Sequence, residues 1–222
     1  MKSVTGWWFT KDHKLPHGDN RKIKIGITHE IKGKIIPCEK GLHLSRNILD
    51  AVKYANGTII YRVKGHGTVI PHGNPTDKYA CSRRTYVAGG IDIDETLRKF
   101  SRLCALDVIH LWDAPNIVKE YLQTGNEQLR NAARDAARDA ARDAARDAAR
   151  DAARSAAGYA AWDAARYAAW DTARSSARDA AGYAAWDAAR SAASSAARSA
   201  ATKKQNRRLH KMVMRKIKKE ER

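Results

Sequence analysis

The chain lacks the features that would place it in a membrane or in an oxidising compartment. It contains no apolar run of about 18 residues, the length that a transmembrane helix needs. The N-terminal stretch MKSVTGWWFT has no apolar signal core. The three cysteines, Cys38, Cys81 and Cys104, are odd in number and show no C-x-x-C spacing, which indicates free thiols. The sequence therefore predicts a cytoplasmic protein without a transmembrane segment.

Proline and glycine are nearly absent from the C-terminal part. All five prolines lie at or before Pro115, and twelve of the 14 glycines lie at or before Gly125. Alanine, arginine, aspartate and serine dominate afterwards. This shift predicts an α+β protein, with a small mixed sheet-plus-helix N-terminal domain followed by a long Ala-rich α-helical repeat region. The expected parts are an α+β head domain (1–114), a helical linker (115–131), Ala-rich tetrad-repeat helices (132–203) and a basic amphipathic tail (204–222).

Acidic residues are too few to balance the basic ones. The chain carries 42 Lys and Arg against 24 Asp and Glu, a formal net charge of +18. The segment from Lys203 to Arg222 alone has ten basic and two acidic residues. Such a balance favours contact with a polyanion, with nucleic acid first and an anionic membrane or an acidic protein as alternatives. Solubility alone is the simplest other explanation.

Local patterns predict the elements of the head domain. Alternating or β-rich segments indicate strands at 6–10, 22–31, 34–45, 57–63, 64–74 and 77–91, with Pro37 at an edge or bulge. Ser45 is expected to cap a helix over 46–55. Asp92 or Asp94 is expected to open another helix, and a further helix follows Pro115.

A four-residue repeat fills residues 132–203 without an insertion. Its alanines favour a helix, and Asp135 and Arg138 exemplify an i,i+3 ion pair that recurs along it. A period of four exceeds the helical 3.6, so the alanine stripe winds around the helix by about 40° per tetrad. Coiled coils need periods of about 3.5 or 3.67, so we expect steep, short helix contacts or an isolated helix.

Aromatic residues interrupt the later tetrads. The proposed interface residues are Tyr159, Trp162, Trp170, Tyr183 and Trp186, which predict a homo-oligomer; base stacking is the alternative. Gly158 and Gly182 are either turns or points of close approach within a straight helix.

Apolar and basic residues alternate in the tail. Leu209, Met212, Val213 and Ile217 share one helical face. This face could support phosphate contact, membrane binding or docking on a partner, or it could pack on its own subunit. The candidate phosphate-binding residues are Arg83, Arg84, Lys203, Lys204, Arg207, Arg208, Lys211, Arg215, Lys216, Lys218 and Lys219.

The segment CEKGLHLSRNILDAVKYA (38–55) holds the densest polar cluster of the head domain. His43 and Ser45 lie where a strand is expected to pass into a helix, a setting that can bind phosphate, although a structural turn is the simpler interpretation. Loop histidines His13, His17, His66 and His72 lack diagnostic metal-site spacing, so no metal is assigned. No catalytic triad is evident.

Several segments together resemble a family of phage and bacterial proteins. They are CEKGLHLSRNILDAVKYA, PHGNPTDK, SRRTY, CALDVIHLWDAP, YLQTGNEQLRNAA, the Ala-rich Trp/Arg/Asp repeat and QNRRLHKM. The resemblance implies a phage or prophage origin and carries no activity. The long uniform AARD tract departs from the family pattern.

These observations predict a non-enzymatic phage accessory protein, an oligomerising module whose basic helical arm contacts nucleic acid or a host target, with no cofactor. One alternative is an enzyme, because GLHLS followed by LDAVKYA loosely resembles ADP-ribosyltransferase-like folds. That resemblance implies NAD at His43, Ser45 and Tyr54, with Arg62 or Arg83 on phosphate. Another alternative is a phage inhibitor that docks on a host defence protein.

Overall fold

Five antiparallel strands form the sheet of this protein. The computed structural model describes residues 3–16, 18–167 and 199–221. The strands are β1 (Val4–Thr10), β2 (Thr28–Glu30), β3 (Leu42–Leu44), β4 (Ile59–His72) and β5 (Lys78–Asp92). Their order is β1-β4-β5-β2, and β3 also pairs with β5. The α+β class expected from the sequence is confirmed.

One helix lies between β3 and β4, and the other helices follow the sheet along the chain. They are α1 (Ile48–Lys53), α2 (Asp94–Leu106), α3 (Asn116–Thr124), α4 (Arg130–Tyr167) and α5, which is helical over residues 199–220. Gly125, with φ of 70°, ends α3 in the left-handed conformation that glycine adopts without strain. α4 passes through Gly158 without a break, so this glycine is not a turn. Gly182 lies outside the described residues.

Two compact units divide the chain. The sheet unit comprises Met1–Ser101 together with Thr202–Arg222, and the inserted unit comprises Arg102–Ala201. Residues 202–222 therefore complete a fold that residues 1–101 begin. In the inserted unit, α3 and the start of α4 pack together and bury Val118 and Ala133.

Four expected strands differ from those in the structure, in three ways. Within 22–31 only Thr28–Glu30 is a strand, because Ile23 N–H bonds to His13 and Gly26 N–H to Tyr86, on two separate segments. Within 34–45 a turn around Pro37, closed by Lys40 N–H on the Ile36 carbonyl at 2.8 Å, leaves only β3.

The third difference joins two expected strands into one. The glycines of this region predict separate strands at 57–63 and 64–74, but β4 continues through Gly65 and Gly67. Its register against β5 shifts between His66 and Val69, so the strand contains a bulge-like irregularity beside the glycines but does not end there.

Ser45 does not cap a helix. It exchanges two backbone hydrogen bonds with Trp7, at 2.8 and 3.0 Å. Gly6 permits this approach, because an added Cβ would lie 2.6 Å from a Leu44 methyl group and closer still to the Ser45 carbonyl. α1 instead begins after Asn47 and is shorter than the expected helix 46–55.

The core of the sheet unit combines aliphatic and aromatic side chains. It contains Val4, Leu15, Ile23, Leu42, Leu44, Tyr61, Val63, Cys81 and Tyr86. Hydroxyl groups therefore enter a buried region, and each needs a hydrogen-bond partner there. Those partners include histidines and an arginine, which are described below.

Candidate functional site

The C-terminal helix packs its apolar stripe on its own sheet unit. Leu209, Val213 and Ile217 are at most 1% exposed. The ring of His210 meets buried Trp7 edge-on, with centroids 5.4 Å apart. Of the alternatives for this stripe, packing on its own subunit is the one that the structure shows.

Most basic residues of α5 lie away from that stripe. Among the candidates, those that are exposed are Lys203, Lys204, Arg207, Lys211, Arg215, Lys218 and Lys219. Arg208 and Lys216 are half-buried, and the Lys216 ammonium donates to the Asp92 carbonyl at 2.8 Å. Arg207, Lys211 and Arg215 are four residues apart, so they form one row with a rise of about 6 Å per step. No acidic residue occurs from 199 to 219.

The adjacent arginines of β5 have separate surroundings. Successive strand residues point to opposite faces of a sheet. Arg83 is exposed and forms an ion pair with Glu30 at 3.1 Å. Arg84 is only 1% exposed. The two guanidinium groups therefore do not share one ligand-facing surface.

Arg84 is a buried cation without a carboxylate partner in the described part of the chain. Its two terminal nitrogens donate to the His43 carbonyl at 2.6 Å and to the Tyr86 hydroxyl at 2.8 Å. Its Cζ lies 3.9 Å from the centroid of the Trp8 ring, and its Nε has no hydrogen-bond partner. Burial lowers the pKa of Arg84 below its ordinary value.

These contacts offset much of the cost of burying the charge, but none of them supplies a negative charge. An ion removed from water loses several kcal/mol even after relaxation. A desolvated cation–π contact returns about 2 kcal/mol, and hydrogen bonds from a charged group return about 1.5–3 kcal/mol each. An anion beside Arg84 would supply the missing counter-charge.

Two tyrosine–histidine pairs lie behind Arg84. Tyr86 accepts from Arg84, and its own O–H reaches His29 Nδ1 at 3.1 Å. The Tyr61 hydroxyl contacts His13 Nδ1 at 2.7 Å. Burial, with help from the charges of Arg21 and Arg84, lowers the pKa of His29. A lowered pKa favours the neutral form of His29, which adds no negative charge near Arg84.

Arg84 forms part of the wall of a cavity of about 600 Å³. We call it the Arg84 cavity; its wall also includes Trp8, Phe9, Leu15, Pro16, Asp19, Ile31, Cys38, Glu39, Lys40, Gly41, Leu42, His43, Tyr54, Asn56 and Lys78. This volume and the mostly apolar wall are typical of small-molecule sites.

The wall of the cavity carries the cations Arg84, Lys40 and Lys78 and the acids Asp19 and Glu39, of which Asp19 is already paired. The carboxylate of Asp19 accepts from Arg21 at 2.6 and 2.7 Å, and the hydrogen bond to Arg21 lowers its pKa. The Lys78 ammonium lies 4.2 Å from the centre of the Tyr54 ring. The Tyr54 hydroxyl donates to Asp77 at 2.8 Å, which raises its pKa to about 12. Tyr54 is thus a proton donor, not a phenolate.

The proposed NAD residues lie in neighbouring spaces. His43, Ser45 and Tyr54 all line a second cavity of about 30 Å³, which has room for water only. His43 and Tyr54 also line the Arg84 cavity, whereas Ser45 does not. Arg62 lies over the Trp7 ring, 4.7 Å from its centroid, and Arg83 is paired with Glu30.

The loop histidines have different contacts. His66 Nε2 lies 3.0 Å from the Thr85 hydroxyl, and His72 Nε2 lies 3.4 Å from the Cys38 thiol. His17 lies outside the described residues. Across the described ranges, no three His, Cys, Asp or Glu side chains converge as metal ligands would.

The aromatic interface candidates fall at the limit of the described chain. Tyr159 and Trp162 belong to α4. Their side chains, and Trp170, Tyr183 and Trp186 entirely, lie outside the described residues. Upstream, Asp139–Arg142 and Asp147–Arg150 form i,i+3 ion pairs at 3.7 and 3.8 Å, as the repeat predicts, whereas Asp135 pairs with its neighbour Arg134 at 3.5 Å.

Sequence reasoning did not single out Trp8 and Lys78, or the different surroundings of the two arginines. The alternation of β5 was the available signal, because it predicts that one of two adjacent arginines points inward. Trp8 carried no local signal, since its contact with Arg84 joins residues far apart in sequence.

No described helix has the length and apolar character needed to cross a bilayer. No protein-family model, curated protein or solved structure matches this chain.

Proposed function

We propose that this protein is a nucleic-acid-binding module whose contact surface is the outer face of α5. The observation that carries the proposal is the burial of Leu209, Val213 and Ile217 on the sheet unit. Burial fixes the helix and leaves the row Arg207, Lys211 and Arg215 exposed. Cations held on a rigid element lose little freedom on meeting phosphates, so they suit contact with a nucleic-acid backbone.

The same burial favours nucleic acid over two other partners of a basic amphipathic helix. A membrane-surface helix must place its apolar face among lipid tails, and a groove-docking helix must place that face in its partner. Both would require α5 to leave the sheet unit. Phosphate contact needs only the exposed basic face.

The test compares full-length proteins by fluorescence anisotropy with a labelled DNA duplex, a DNA single strand and an RNA, over a salt series. The variant carries Arg207→Ala, Lys211→Ala and Arg215→Ala. The matched control carries Lys24→Ala, Lys32→Ala and Lys34→Ala, which removes the same charge from exposed positions elsewhere. A chain truncated at Thr202 is unsuitable, because it would lose buried core residues of α5.

We expect the α5 variant to bind more weakly. On a duplex, the slope of log K against log salt should decrease by about 0.9 for each phosphate that the variant no longer neutralises. The control should retain the wild-type slope. Equal losses of affinity in both variants would show that binding depends on the net charge of the protein and not on the α5 surface. Negligible binding by the wild type would refute the proposal.

For the Ala-rich arm we propose the role of a spacer or an assembly element of a phage accessory protein in the cytoplasm of its bacterial host. The role rests on the helical span of α4, the i,i+3 ion pairs and the period of four. Light-scattering mass combined with small-angle scattering distinguishes a monomer from a homo-oligomer. A helix pair wound side by side over 132–203 would contradict the steep crossings that the repeat predicts.

Two alternatives keep separate tests. The NAD-binding alternative rests on the position of His43 and Tyr54 in the wall of the Arg84 cavity. It predicts that NAD raises the midpoint of thermal unfolding and that His43→Ala abolishes this rise. A phage inhibitor of host defence would retain one defence protein reproducibly from host lysate, and retention would survive nuclease treatment.

A further inference from the structure

We propose that the Arg84 cavity is a binding site for a small phosphate-bearing molecule of nucleotide size, with Arg84 as the anion receptor. The site is separate from the nucleic-acid surface of α5, and it does not depend on it. No reaction is assigned to the site, so the inference does not depend on the NAD alternative either.

The first argument is the state of the Arg84 side chain. It is 1% exposed, it has no carboxylate partner in the described residues, and its Nε lacks any hydrogen bond. Both protein acceptors of its terminal nitrogens, the His43 carbonyl and the Tyr86 hydroxyl, are neutral. Buried charges in proteins are ordinarily paired. Because Arg84 forms part of a cavity wall, a bound anion can provide the pairing that the chain does not.

The second argument concerns the groups that hold Arg84. Trp8 stacks against the guanidinium, and the His43 carbonyl and Tyr86 hydroxyl fix its terminal nitrogens. The planar group is therefore oriented before any ligand arrives. A guanidinium held in this way matches the geometry of phosphate oxygens, which accept its N–H groups in parallel.

The third argument concerns the rest of the cavity. Lys40 and Lys78 add cationic side chains, and Asp19 is already engaged by Arg21, so Arg84, Lys40 and Lys78 outnumber Glu39, the other carboxylate of the wall. Tyr54, which is 48% exposed, contributes aromatic surface on which a base can stack. The volume of about 600 Å³ exceeds what inorganic phosphate alone would fill. The combination of anion receptor and aromatic wall favours a nucleotide over a free phosphate ion.

The test is isothermal titration calorimetry on the full-length protein with AMP, inorganic phosphate and adenosine as separate probes. The variants are Arg84→Gln, which removes the charge and keeps a donor, and Lys78→Met, which keeps the length of the side chain. Arg83→Gln is the matched control, because it removes one charge from the neighbouring exposed position of the same strand.

We expect AMP to bind with a ratio of one, and each cavity variant to weaken its binding by about tenfold or more, since a hydrogen bond to a charged group is removed. The control should bind as the wild type does. If Arg84→Gln does not fold, the decision rests on Lys78→Met and on the comparison of the three probes, none of which needs that variant.

Three results would overturn the inference. They are no heat from AMP at millimolar concentration, adenosine binding as tightly as AMP, and unchanged AMP affinity in both cavity variants. Phosphate binding as tightly as AMP would identify free phosphate as the ligand and overturn the nucleotide assignment. If AMP binds and NAD does not, only the enzyme alternative is rejected. The α5 variant should bind AMP as the wild type does, even where it loses affinity for nucleic acid.

Discussion

The side-chain oxygen of Asn206 accepts a hydrogen bond from the backbone N–H of Leu49 at 3.3 Å, and its amide donates to Asn47 at 3.3 Å. Helix α1 has no cap from its own N-cap residue, because the Asn47 side-chain oxygen accepts from Asn206 and its amide donates to Asp50. A residue of α5 thus satisfies the first turn of a helix that lies far upstream in the chain.

This relationship predicts that Asn206→Ala destabilises the sheet unit. The loss should be about 1 kcal/mol, the usual effect of removing a cap. Urea unfolding measures it, with Gln205→Ala as the control at the adjacent half-buried position. Equal stabilities of the two variants would show that the cap contributes nothing.

The buried stripe predicts a larger effect for Leu209→Ala. Leu209 is fully buried, and a Leu-to-Ala change in a core costs about 2–5 kcal/mol. The exposed neighbour Lys211→Ala should unfold at the wild-type urea concentration. Both variants are followed by circular dichroism, and an unchanged midpoint for Leu209→Ala would mean that α5 is not part of the folded core in solution.

Two histidines predict a loss of stability in mild acid. Burial lowers the pKa of His29 and of His210 below 6.5 in the folded protein. The unfolded chain then binds protons that the folded chain does not. Stability is therefore complete above about pH 6.5 and falls as the pH decreases toward the folded pKa values.

The measurement is the midpoint of thermal unfolding between pH 7.5 and pH 5 (about one unit either side of the ordinary histidine pKa). His210→Gln should flatten part of the decline, because the variant carries no titrating group beside Trp7 and Arg62. Superimposable profiles for the wild type and this variant would contradict the assignment to His210.

The insertion of Arg102–Ala201 between two parts of the sheet unit predicts tolerance to changes in repeat number. Deleting residues 132–155 removes whole tetrads and keeps the register of the rest. Because loop-closure entropy changes by only about 0.6 kcal/mol per doubling of length, the unfolding free energy of the sheet unit should be nearly unchanged. A large loss on urea unfolding would show that the tract stabilises the sheet unit directly.

The sequence alone determined the features that depend on near neighbours in the chain. Strand periodicity located β1 and β5, Pro115 marked the start of α3, and alanine content with Asp–Arg spacing predicted the helix and ion pairs of α4. These features follow from local propensity and from contacts three or four residues apart. Charge composition likewise suggested a polyanion partner.

Only the tertiary structure decided how distant segments complete one another. The stripe of α5 could have served a membrane, a partner or its own subunit, since its pattern is the same in each case. The burial of Arg84 depends on its contacts with Trp8 and Tyr86. The cap of α1 comes from Asn206 instead of Ser45. Burial and hydrogen-bond partners are set by packing between segments far apart in the chain, so they cannot be predicted from local sequence patterns.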